Sequence, residues 1–477
     1  MDTKKLRQKI LDLAIHGKLV PQDSNDEPAS VLLERNRAEK ERLVKEGKIK
    51  KSKSSRTTDT PHYENVPFEV PNGWVWSILP NLCTIPITDG THQTPTYTDK
   101  EHGIPFISSK DVTSQKINWD NIKYITKELH EELYKRVAPQ KDDILLAKNG
   151  TTGVAAIVED SRVFDIYVTL ALIRPNKNVN PYYLYYVINS GFCKEQFNSH
   201  LTGIGLPNLH LTDIKKTFIP LPPLTEQERI VSEIKRWFTL IDKLEQEKTD
   251  LLTAIKQTKS KILDLAIHGK LVPQDLNDEP ASELLKRINP TAEITCDNGQ
   301  YGKMPEGWCE TILGELFEHN TGKALNSSNQ GGIMRDYLTT SNVYWDTFDL
   351  SLVKQMLFKE NELEKCTVVK GDLLVCEGGD VGRSAIWNQD YDICIQNHLH
   401  RLRPKAELSV RFYYHVLKYL KDNNMIGGKG IGLLGLSSKE LHKLPFPLPP
   451  YNEQQRIVNK IEELFTLLDN IQKSLEV

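Results

Sequence analysis

The chain has 477 residues, a formal net charge of −3 and 26% charged residues, which is an ordinary composition for a globular protein. This length allows two or three domains with cores of their own. The near-neutral charge excludes a uniformly basic protein, although a local basic surface would be enough to bind nucleic acid. There is no apolar signal segment and no run of about 18 apolar residues, so we expect a soluble, cytoplasmic protein without a membrane partner. The seven cysteines, which form no CxxC pair, fit a reducing compartment.

One short segment near the N-terminus occurs twice. Residues 9–30, KILDLAIHGKLVPQDSNDEPAS, return at 261–282 with 21 identities in 22 positions. Only Ser24 differs, where the second copy has Leu276. Duplicated domains normally diverge, so near-identity over one short stretch indicates that this stretch has the same task in both copies.

A second repeat has a different offset. IPLPPLTEQERIVSEIKRWFTLID at 219–242 returns as FPLPPYNEQQRIVNKIEELFTLLD at 446–469. The two offsets, 252 and 227 residues, together exceed the length of the chain by only two residues. This pattern is a circular two-fold repeat, and it predicts that the chain ends meet in space and rebuild the conserved unit at the centre of the chain.

The repeated segments predict helices. A heptad-like spacing of apolar residues indicates one long helix over residues 226–268 that pairs with another helix in a coiled coil. Stretches with the same spacing occur at both ends of the chain, and the circular repeat makes them the antiparallel partners of the long helix. That helix would be about 60 Å long and would serve as a ruler. The apolar positions are Ile230, Ile234, Trp237, Ile241, Leu244, Leu251, Ile255, Ile262 and Leu265 in the long helix, Leu6, Ile10 and Leu13 near the start, and Ile457, Ile461, Leu464, Leu468, Ile471 and Leu475 near the end.

Both copies of the first repeat carry HGK where the predicted helix ends. Gly17 and Gly269 suit the left-handed position that follows many helices. His16 and His268 would then lie at the negative end of the helix dipole. The alternative is that these histidines belong to a ligand or partner site.

A further helix is predicted after each HGK segment, with Pro28 or Pro280 in its first turn. In the first copy this helix runs into KEGKIKKSKSSR at 45–56, which is strongly basic and lacks apolar periodicity. Such a run is typical of a solvated linker. The alternative is a segment that contacts the DNA backbone.

Two variable blocks, 66–217 and 303–444, lie between the repeated segments. In the first block, IPFISSKDV, DILLAKNG, AAIVE and TLALIRP indicate strands of an α/β domain. Asn180 and Pro181 predict the cap and first residue of a helix, and SSKE from Ser437 predicts a capping box in the second block. Each block ends in a PLPP segment that we interpret as a hinge.

Motifs for catalysis fail when they are compared between the blocks. NPYY at 180–183 lacks the second proline of a (D/N)PPY loop, and HEELY at 130–134 lacks the second histidine of a zinc protease helix. GIGLLG at 430–435 follows no predicted strand, which disfavours a dinucleotide site. A nuclease metal site beside Lys148 is disfavoured because the second block has Glu377 there. We therefore predict no chemistry in this chain.

Several of these motifs together resemble a known family. LAIHGKLVPQD, the PLPPxxEQxRIV segment, PxGW, and the DGTHQTP and IPFISSKD runs are similar to those of specificity subunits of type I restriction–modification systems. The resemblance covers almost the whole chain. It implies a mixed α/β fold with two target-recognition domains, joined by a long antiparallel two-helix coiled coil in a circular pseudo-two-fold repeat.

The repeats and the resemblance together predict seven segments. These are an N-terminal conserved helical segment (1–46), a basic linker (47–65), target-recognition domain 1 (66–218), a central conserved region with the long helix (219–290), a linker (291–302), target-recognition domain 2 (303–445) and a C-terminal conserved helix (446–477).

The resemblance also implies a division of labour. Each recognition domain would read one half of a bipartite, asymmetric site in double-stranded DNA. The coiled coil would set the spacing and dock two modification subunits, and two restriction subunits would join that core. The chain itself would be non-catalytic, without a metal or cofactor. S-adenosylmethionine, ATP and Mg²⁺ are expected on the partner subunits, for adenine methylation or ATP-dependent restriction.

Candidate base and phosphate contacts are polar residues in glycine-rich loops at equivalent places in the two blocks. Lys148 and Glu377 occupy matching positions, which would suit a guanine contact in one block and a cytosine contact in the other. For each residue the alternative is an ordinary group in a turn or at a strand end. The candidates are Thr91, His92, Gln93, Ser109, Lys110, Lys148, Asn149 and Thr151 in the first block, and Lys323, Thr340, Ser341, Asn342, Glu377, Asp380 and Arg383 in the second.

Partner docking is predicted on the exposed parts of the repeated segments. The candidate residues are Gln22, Asp23, Asp26, Glu27, Gln274, Asp275, Asp278 and Glu279. Two other classes of protein stay open. One is a two-headed coiled-coil adaptor that binds protein or glycan ligands, and the other is a stand-alone DNA enzyme such as a nuclease or methyltransferase.

Overall fold

The computed structural model describes residues 2–49, 66–199, 208–291, 301–325, 331–426 and 436–476. The chain divides into two compact units, Asp2–Glu247 and Lys248–Val477, here called the N-terminal and C-terminal units. Most of the basic run at 45–56, the GIGLLG motif and both chain ends lie outside the described residues, so the predicted meeting of the ends stays a prediction. No helix among the described residues is long and apolar enough to cross a membrane.

The N-terminal unit consists of helices at its two sequence ends and a β-rich block between them. Its helices are α1 (Thr3–Ile15), α2 (Ala29–Lys45), α3 (Lys127–Arg136), α4 (Pro181–Ile188), α5 (Gly191–Asn198), α6 (Leu211–Ile214) and the first part of α7 (Leu224–Ile267). Its strands are β1 (Val75–Ile78), β2 (Thr88–Asp89), β3 (Tyr97–Thr98), β4 (Ile104–Ile107), β5 (Lys123–Ile125), β6 (Ile144–Ala147), β7 (Ala155–Ile157), β8 (Asp165–Ile166), β9 (Leu170–Ile173) and β10 (Phe218–Leu221). The block at 66–221 is called the N-terminal head.

The C-terminal unit has the same plan. After the second part of α7 come α8 (Ala281–Ile288), α9 (Leu313–Leu316), α10 (Glu360–Cys366), α11 (Val410–Asp422), α12 (Ser438–His442) and α13 (Tyr451–Glu476). Its strands are β11 (Cys309–Ile312), β12 (Phe317–Thr321), β13 (Ile333–Leu338), β14 (Val343–Tyr344), β15 (Thr347–Phe348), β16 (Lys354–Phe358), β17 (Thr367–Val368), β18 (Leu373–Cys376), β19 (Ser384–Ile386), β20 (Ile393–Ile395), β21 (Leu399–Pro404) and β22 (Pro445–Leu448). The block at 301–448 is called the C-terminal head.

Each head contains two four-stranded sheets. The first is antiparallel, with the order β2-β9-β6-β7 in the N-terminal head and β12-β21-β18-β19 in the C-terminal head. The second includes one parallel pair, β4·β8 or β13·β20. The heads differ at the edge of this sheet, because β3 extends it beside β5 in one head and β17 extends it beside β20 in the other. The strands predicted from IPFISSKDV, DILLAKNG, AAIVE and TLALIRP are all present, so the mixed α/β class is confirmed.

The first two residues of each PLPP segment belong to a strand, which corrects the interpretation of the whole segment as a hinge. β10 pairs antiparallel with β1, with Pro220 opposite Trp76, and β22 pairs in the same way with β11. A two-stranded ladder tolerates proline because one side of each strand needs no donor. The first and last strands of each head are therefore tied together immediately before the following long helix begins, and both predicted domain boundaries at this point cut through a strand.

The predicted helix starts follow from side-chain caps. The Asn180 side chain accepts hydrogen bonds from the backbone N–H groups of Tyr182 and Tyr183, and Pro181 is the first residue of α4. Ser437 and Glu440 form the predicted capping box at α12, where the Ser437 N–H donates to the Glu440 carboxylate over 2.9 Å. Both helix starts are confirmed. NPYY is thus a capped helix start.

The HGK segments end their helices as predicted. Gly17 and Gly269 have positive φ angles of 64° and 62°. Nδ1 of His16 lies 2.8 Å from the carbonyl oxygen of Asp12, and His268 repeats this contact over 2.7 Å one turn after Asp264. These histidines therefore bind the last turn of their own helices.

The two prolines that follow are one position earlier than predicted. Pro28 and Pro280 have ψ angles of 143° and 142°, so they precede α2 and α8 and lie outside the helices. The N–H of the next residue donates to a carbonyl oxygen at the start of the head. Ala29 donates to Gly73 and Ala281 to Gly307, over 2.8 Å in both units.

Within each unit, two helices lie side by side and antiparallel. In the N-terminal unit Arg7 of α1 binds Asp242 of α7 over 2.6 Å, while the chain that follows α1 reaches the start of α7. In the C-terminal unit Lys259 of α7 binds Asp469 of α13 over 2.5 Å. Among the apolar residues of the predicted seam, Ile10, Ile234 and Ile457 are buried. Four others are exposed, namely Trp237, Leu244, Leu251 and Ile471. The long helix is confirmed as α7, whose 44 residues correspond to about 66 Å.

Candidate nucleic-acid interface

Three loops of the N-terminal head meet at one short turn. Val168 donates its N–H to the carbonyl oxygen of Thr91 over 3.0 Å, and Thr169 accepts the N–H of Lys148 at its own carbonyl oxygen over 2.8 Å. The hydroxyl of Thr169 also accepts the N–H of Ser109 over 3.0 Å. The turn therefore joins the loops that carry most of the candidate residues of this head. Residues 167–169 are called the N-terminal hub.

The C-terminal head repeats this arrangement with different side chains. Asn397 donates its N–H to the carbonyl oxygen of Lys323 over 3.0 Å, and the N–H of Glu377 donates to the carbonyl oxygen of His398 over 2.9 Å. Gln396 donates its N–H to the carbonyl oxygen of Leu338, also over 3.0 Å. Residues 396–398 are called the C-terminal hub.

Backbone contacts make Lys148 and Glu377 equivalent. Their carbonyl oxygens accept the N–H groups of Leu209 and Leu436, over 2.8 Å and 2.9 Å. Both residues also donate their own N–H to the hub of their head. The two side chains, of opposite charge, therefore leave the backbone at the same place in the two heads.

A glycine beside each hub allows the close approach of the chains. A Cβ atom on Gly90 would lie 1.9 Å from the carbonyl oxygen of Ile166, and one on Gly322 would lie 2.1 Å from that of Ile395. Both distances are far below any possible contact. The DG and TG pairs that precede the candidate loops are thus requirements of the hub, because only glycine fits there.

The charge at the N-terminal hub is paired. The ammonium of Lys148 lies 2.5 Å from a carboxylate oxygen of Asp89, and both side chains are less than one-tenth exposed. His92 and Arg136 approach the other oxygen of Asp89 at 3.4 Å and 3.5 Å. Asp89, His92 and Lys148 line an open cleft of about 480 Å³ in this head. The residues that line it are Asp89, His92, Lys148, Asn149, Val168, Asn208, His210, Leu211 and Thr212.

The C-terminal hub has a buried lysine at a different position. Lys323 donates to the carboxylate of Glu362 over 2.6 Å and to the carbonyl oxygen of Leu357 over 2.8 Å. The hydrogen bond from Lys323 lowers the pKa of Glu362. Glu377 is half-buried and has a longer contact with His398, whose Nδ1 lies 3.6 Å away. This head therefore presents a less constrained carboxylate at its hub.

The remaining candidates of the N-terminal head lie mainly at the surface. His92, Gln93, Lys110 and Thr151 are exposed. The Asn149 amide donates to the side-chain oxygen of Asn208 over 3.1 Å. The exposed candidates retain groups that a ligand could reach, whereas Thr91 is buried and contributes mainly its backbone.

More of the candidates of the C-terminal head form hydrogen bonds or ion pairs within the protein. Asn342 is 5% exposed, and its amide donates to the carbonyl oxygens of Asp349 and Leu352 over 3.0 Å each. Its role is to hold a loop. Arg383 donates to the carbonyl oxygen of Thr340 over 2.6 Å. A further candidate, Asp380, binds Lys421 over 2.9 Å. The candidate Ser341 is exposed.

A second constellation lies where the N-terminal head meets its helices. Glu226, near the start of α7, accepts the indole N–H of Trp74 over 2.9 Å and the amide of Gln22 over 3.2 Å. One turn later Arg229 binds Asp26 over 2.6 Å. The N-terminal joint is defined by these five residues and Gly17.

The C-terminal unit contains the same constellation. Glu453, near the start of α13, accepts the indole N–H of Trp308 over 2.9 Å and the amide of Gln274 over 3.1 Å. Arg456 binds Asp278 over 2.6 Å. These five residues and Gly269 define the C-terminal joint.

The central carboxylates of both joints are buried. Glu226 and Glu453 are each 1% exposed, and burial raises the pKa of both, while their Trp and Gln donors oppose this rise. In contrast, the hydrogen bond from Arg229 lowers the pKa of Asp26. The N-terminal joint thus combines a carboxylate that resists ionisation, Glu226, with one that favours it, Asp26.

Comparison with known proteins identifies the chain. The family described as "Type I restriction modification DNA specificity domain" matches residues 71–254 and 305–477. The chain belongs to this family. Each match includes one head and the helix that follows it. The resemblance noted in the sequence is therefore confirmed, and the chain is a non-catalytic DNA-specificity protein of the type I restriction–modification class.

Relatives extend over nearly the whole chain. The EcoAI specificity subunit of Escherichia coli is 29% identical over an alignment of 546 residues, covering 97% of this chain and 88% of the relative. The EcoEI specificity subunit of the same organism is 27% identical, covering 99% and 91%. The solved structure of the HsdS subunit from Thermoanaerobacter tengcongensis has a TM-score of 0.52 at 20% identity, covering 86% of this chain and 93% of that one. A type I restriction–modification system structure reaches 0.56, also at 20% identity, covering 86% and 94%. These structural likenesses show the fold.

For a type I specificity protein, the residues predicted for partner docking fall into two groups. Gln22 and Asp26, with their copies Gln274 and Asp278, bind within the joints. The other four are exposed and have only local contacts, whereas Gln22 and Gln274, although also exposed, reach the joints through their amides. Those four are Asp23 and Asp275, which accept a backbone N–H two residues later, and Glu27 and Glu279, which pair with Arg35 and Arg287.

Sequence reasoning missed the hubs of this specificity protein. YVT at 167–169 lies in a run of strand-forming residues, so it gave no sign of a turn. QNH at 396–398 is a polar triplet between β20 and β21, and its position matches YVT at the same offset of 229 residues that relates LIRP to RLRP. That match was the available signal. Within the described residues, no group of three or more His, Cys, Asp or Glu could hold a metal ion.

Proposed function

We propose that the two heads are target-recognition domains that read different halves of a bipartite, asymmetric DNA site. The observation that carries this proposal is the repeated hub: the same backbone framework presents Lys148 in one head and Glu377 in the other. Two domains that read different DNA sequences need the same backbone framework but different charged side chains. Direct readout depends on the pattern of donors and acceptors that such side chains offer to base edges.

In the N-terminal head, we propose that Lys148 and Asp89 read together. The ammonium is buried and its charge is balanced, so a contact by Lys148 alone would first have to break a 2.5 Å ion pair. As a pair, the two side chains offer a donor beside an acceptor at the wall of the cleft. Lys110 and Gln93 are exposed on neighbouring loops, where Lys110 would bind phosphate and fix the register.

In the C-terminal head, Glu377 offers an acceptor to the amino group of a cytosine or adenine. Its half-buried carboxylate has His398 as its neighbour at 3.6 Å. The side chains of Asn397 and Gln396 lie within the same turn and bond to each other over 2.8 Å. Amide side chains of this kind suit adenine, so this head would prefer a base with an exocyclic amino group at the position that it reads.

The helices give the remaining parts of the function. We propose that α1, α7 and α13 form the antiparallel coiled coil that spaces the recognition domains, and that the repeated segments dock two modification subunits. The support is the duplicated pairing of helices in the two units. Two restriction subunits would complete the assembly, with S-adenosylmethionine, ATP and Mg²⁺ bound by the partners and adenine as the methylated base. Asp23, Glu27, Asp275 and Glu279 are the candidate residues for docking.

The decisive experiment maps methylated sites in cells that contain this chain and its modification subunit. Wild-type protein is expected to methylate a two-part site. Glu377→Lys is expected to change or abolish recognition of one half, and Lys148→Glu of the other half. A variant that altered both halves together would contradict the two-reader proposal.

Binding to duplex DNA separates this function from the alternatives. With the modification subunit present, affinity is expected to fall steeply with salt, because phosphate contacts release counterions. An adaptor for proteins or glycans would show no such binding. DNA cleavage or methylation by the purified chain alone would instead indicate a stand-alone enzyme.

A further inference from the structure

We infer that the two joints are positioning devices for DNA recognition. Each joint holds its head at one orientation on its helix pair, and the two joints together thereby restrict the length of the spacer that the protein accepts between half-sites. This inference rests on the proposed function. It assigns positioning roles to Glu226 and Glu453, which contact no DNA in this proposal.

Each joint brings three segments of its unit together at one carboxylate. In the N-terminal unit the loop after α1 contributes Gln22, the start of the head contributes Trp74, and the start of α7 contributes Glu226. One carboxylate accepts a hydrogen bond from each of the other two segments. The bond from Trp74 ties the head to α7, and the bond from Gln22 ties the loop after α1 to the same carboxylate. Rotation of the head on the helix would therefore lengthen the bond from Trp74.

The residue that follows the last strand of each head, and a helix start within the head, are held as well. Gln227 donates to the carbonyl oxygen of Pro222 over 2.9 Å and accepts the N–H of Asn180 over 2.9 Å. In the C-terminal unit, Gln454 makes the same two contacts with Pro449 and Ser409, over 3.0 Å and 2.9 Å. The EQ pair in both repeats thus binds two different parts of a head from adjacent positions of one helix.

A steric contact supplies a constraint that is independent of hydrogen bonds. A Cβ atom on Gly17 would lie 2.3 Å from Cγ of Pro71, and one on Gly269 would lie 2.3 Å from Cγ of Pro305. The start of each head therefore packs directly on the end of the preceding helix. Positive φ at both glycines makes a side chain doubly unfavourable there.

The chemistry of the joint favours a role in orientation over a role in stability. A buried carboxylate costs free energy, and apolar replacements of similar shape are often as stable or more stable. Apolar contacts, however, permit sliding, whereas charge-assisted hydrogen bonds have narrow geometry. A buried glutamate at the same corner of both units, with donor distances that agree within 0.1 Å, is the arrangement expected of a device that fixes an angle.

The test compares spacer lengths in the complete complex with modification subunits. Duplexes would carry both mapped half-sites, separated by the native spacer or by one base pair fewer or more. Wild-type complex is expected to prefer the native spacer sharply. Glu226→Gln removes the charge and places an amide nitrogen against a donor, so we expect the preference to fall by about tenfold, which is the loss of one hydrogen bond to a charged group. Glu453→Gln is expected to have the same effect.

Two further variants keep the test independent of folding. Gln22→Ala and Gln274→Ala remove one amide from a joint and leave the buried carboxylate with its indole donor, so a smaller loss of preference is expected. Glu233→Gln, at a half-buried residue of α7 that pairs with Arg236 and lies outside the joint, is the matched control and should keep the wild-type preference.

The possible outcomes are distinct. Reduced methylation at every spacer, with an unchanged preference, would show that the joint only stabilises the fold and would overturn the inference. Altered half-site sequences would overturn it as well. If the wild-type complex methylated no two-part site at all, the proposed function would fail before the joints were tested.

Discussion

The joints and the hubs show two ways in which the N-terminal and C-terminal units resemble each other. In the joints the side chains themselves are repeated, and the Trp–Glu distance is 2.9 Å in both units. In the hubs only the backbone contacts are repeated, and the side chains differ in size and charge. The same side chains are therefore present in both units where side-chain hydrogen bonds form the contact, as in the joints. The side chains differ where backbone hydrogen bonds alone form the framework, as in the hubs.

A third region lies between these extremes. Where each head rests on its long helix, Lys235 lies over the ring of Tyr182 at 3.8 Å in the N-terminal unit. At the equivalent place Arg411 binds Glu462 over 2.9 Å and also pairs with Asp346. A cation contacts the neighbouring element in both units, but it comes from the helix in one and from the head in the other.

The largest effect is expected from closing the space beside a hub. Gly90→Ala would place a methyl group 1.9 Å from a carbonyl oxygen, so we expect a loss of about 4 kcal/mol or more in the free energy of unfolding. Gly322→Ala should do the same in the C-terminal head. Chemical denaturation measures both, and Gly378→Ala, which has open space around it, is the control. Equal stability of Gly90→Ala and Gly378→Ala would refute the shared framework.

The next effect distinguishes the two hubs. Lys148→Met leaves the carboxylate of Asp89 buried without its main partner, and we expect a cost of about 3 kcal/mol. At the matched position, Glu377→Met breaks only a 3.6 Å contact on a half-buried side chain, for which we expect less than about 1 kcal/mol. Thermal unfolding of both variants checks the difference. Equal costs would mean that the buried ion pair between Lys148 and Asp89 contributes no more to stability than the half-buried contact of Glu377.

A pH experiment tests the joints. Burial raises the pKa of Glu226, so the folded state binds its proton more tightly than the unfolded state does. Stability from this group is therefore greatest at low pH and falls as the pH rises from the unfolded value near 4.5 through the raised folded value. Glu226→Gln removes this dependence. The stability of the variant relative to wild type should thus improve as the pH rises above about 4.5.

Asp26 in the same joint should behave in the opposite way. Its pKa is lowered by the hydrogen bond from Arg229. Its contribution to stability is present above the unfolded pKa and is lost as the pH falls through the lowered folded value. In Asp26→Asn the deficit relative to wild type should therefore shrink in acid. Unfolding curves that shift in the same direction for both variants would contradict the assignment.

The smallest effects concern the contacts of the heads with the long helices. Arg411→Met removes a partly exposed salt-bridge pair, for which we expect about 1 kcal/mol. Lys235→Met removes a cation–π contact worth about 0.5 kcal/mol at an exposed site. Denaturant midpoints would show whether the order holds. The reverse order would mean that the cation–π contact is the stronger attachment.

The elements that the sequence predicted are those that local rules determine. α7, the caps at Asn180 and Ser437 and the positive φ of Gly17 follow from periodicity and from residues within one turn. The hubs do not, because they depend on pairing between strands far apart in the chain, such as β4 with β8. Lys148 and Asp89 are 59 positions apart, and neither has a local reason to pair. The contacts of Gln22 and Asp26 within the joint were not predicted either, because their partners, Glu226 and Arg229, lie in the other repeated segment.

The position of the tryptophan in each joint has a consequence for how new specificities arise. Trp74 and Trp308 belong to the heads, whereas the glutamates that receive them belong to the helices. A replacement head with its own PxGW segment could therefore donate its tryptophan N–H to the glutamate of the helix in either unit. Shuffling of whole heads, or exchange of the two heads within one protein, would generate a new target sequence without any compensating mutation in the scaffold.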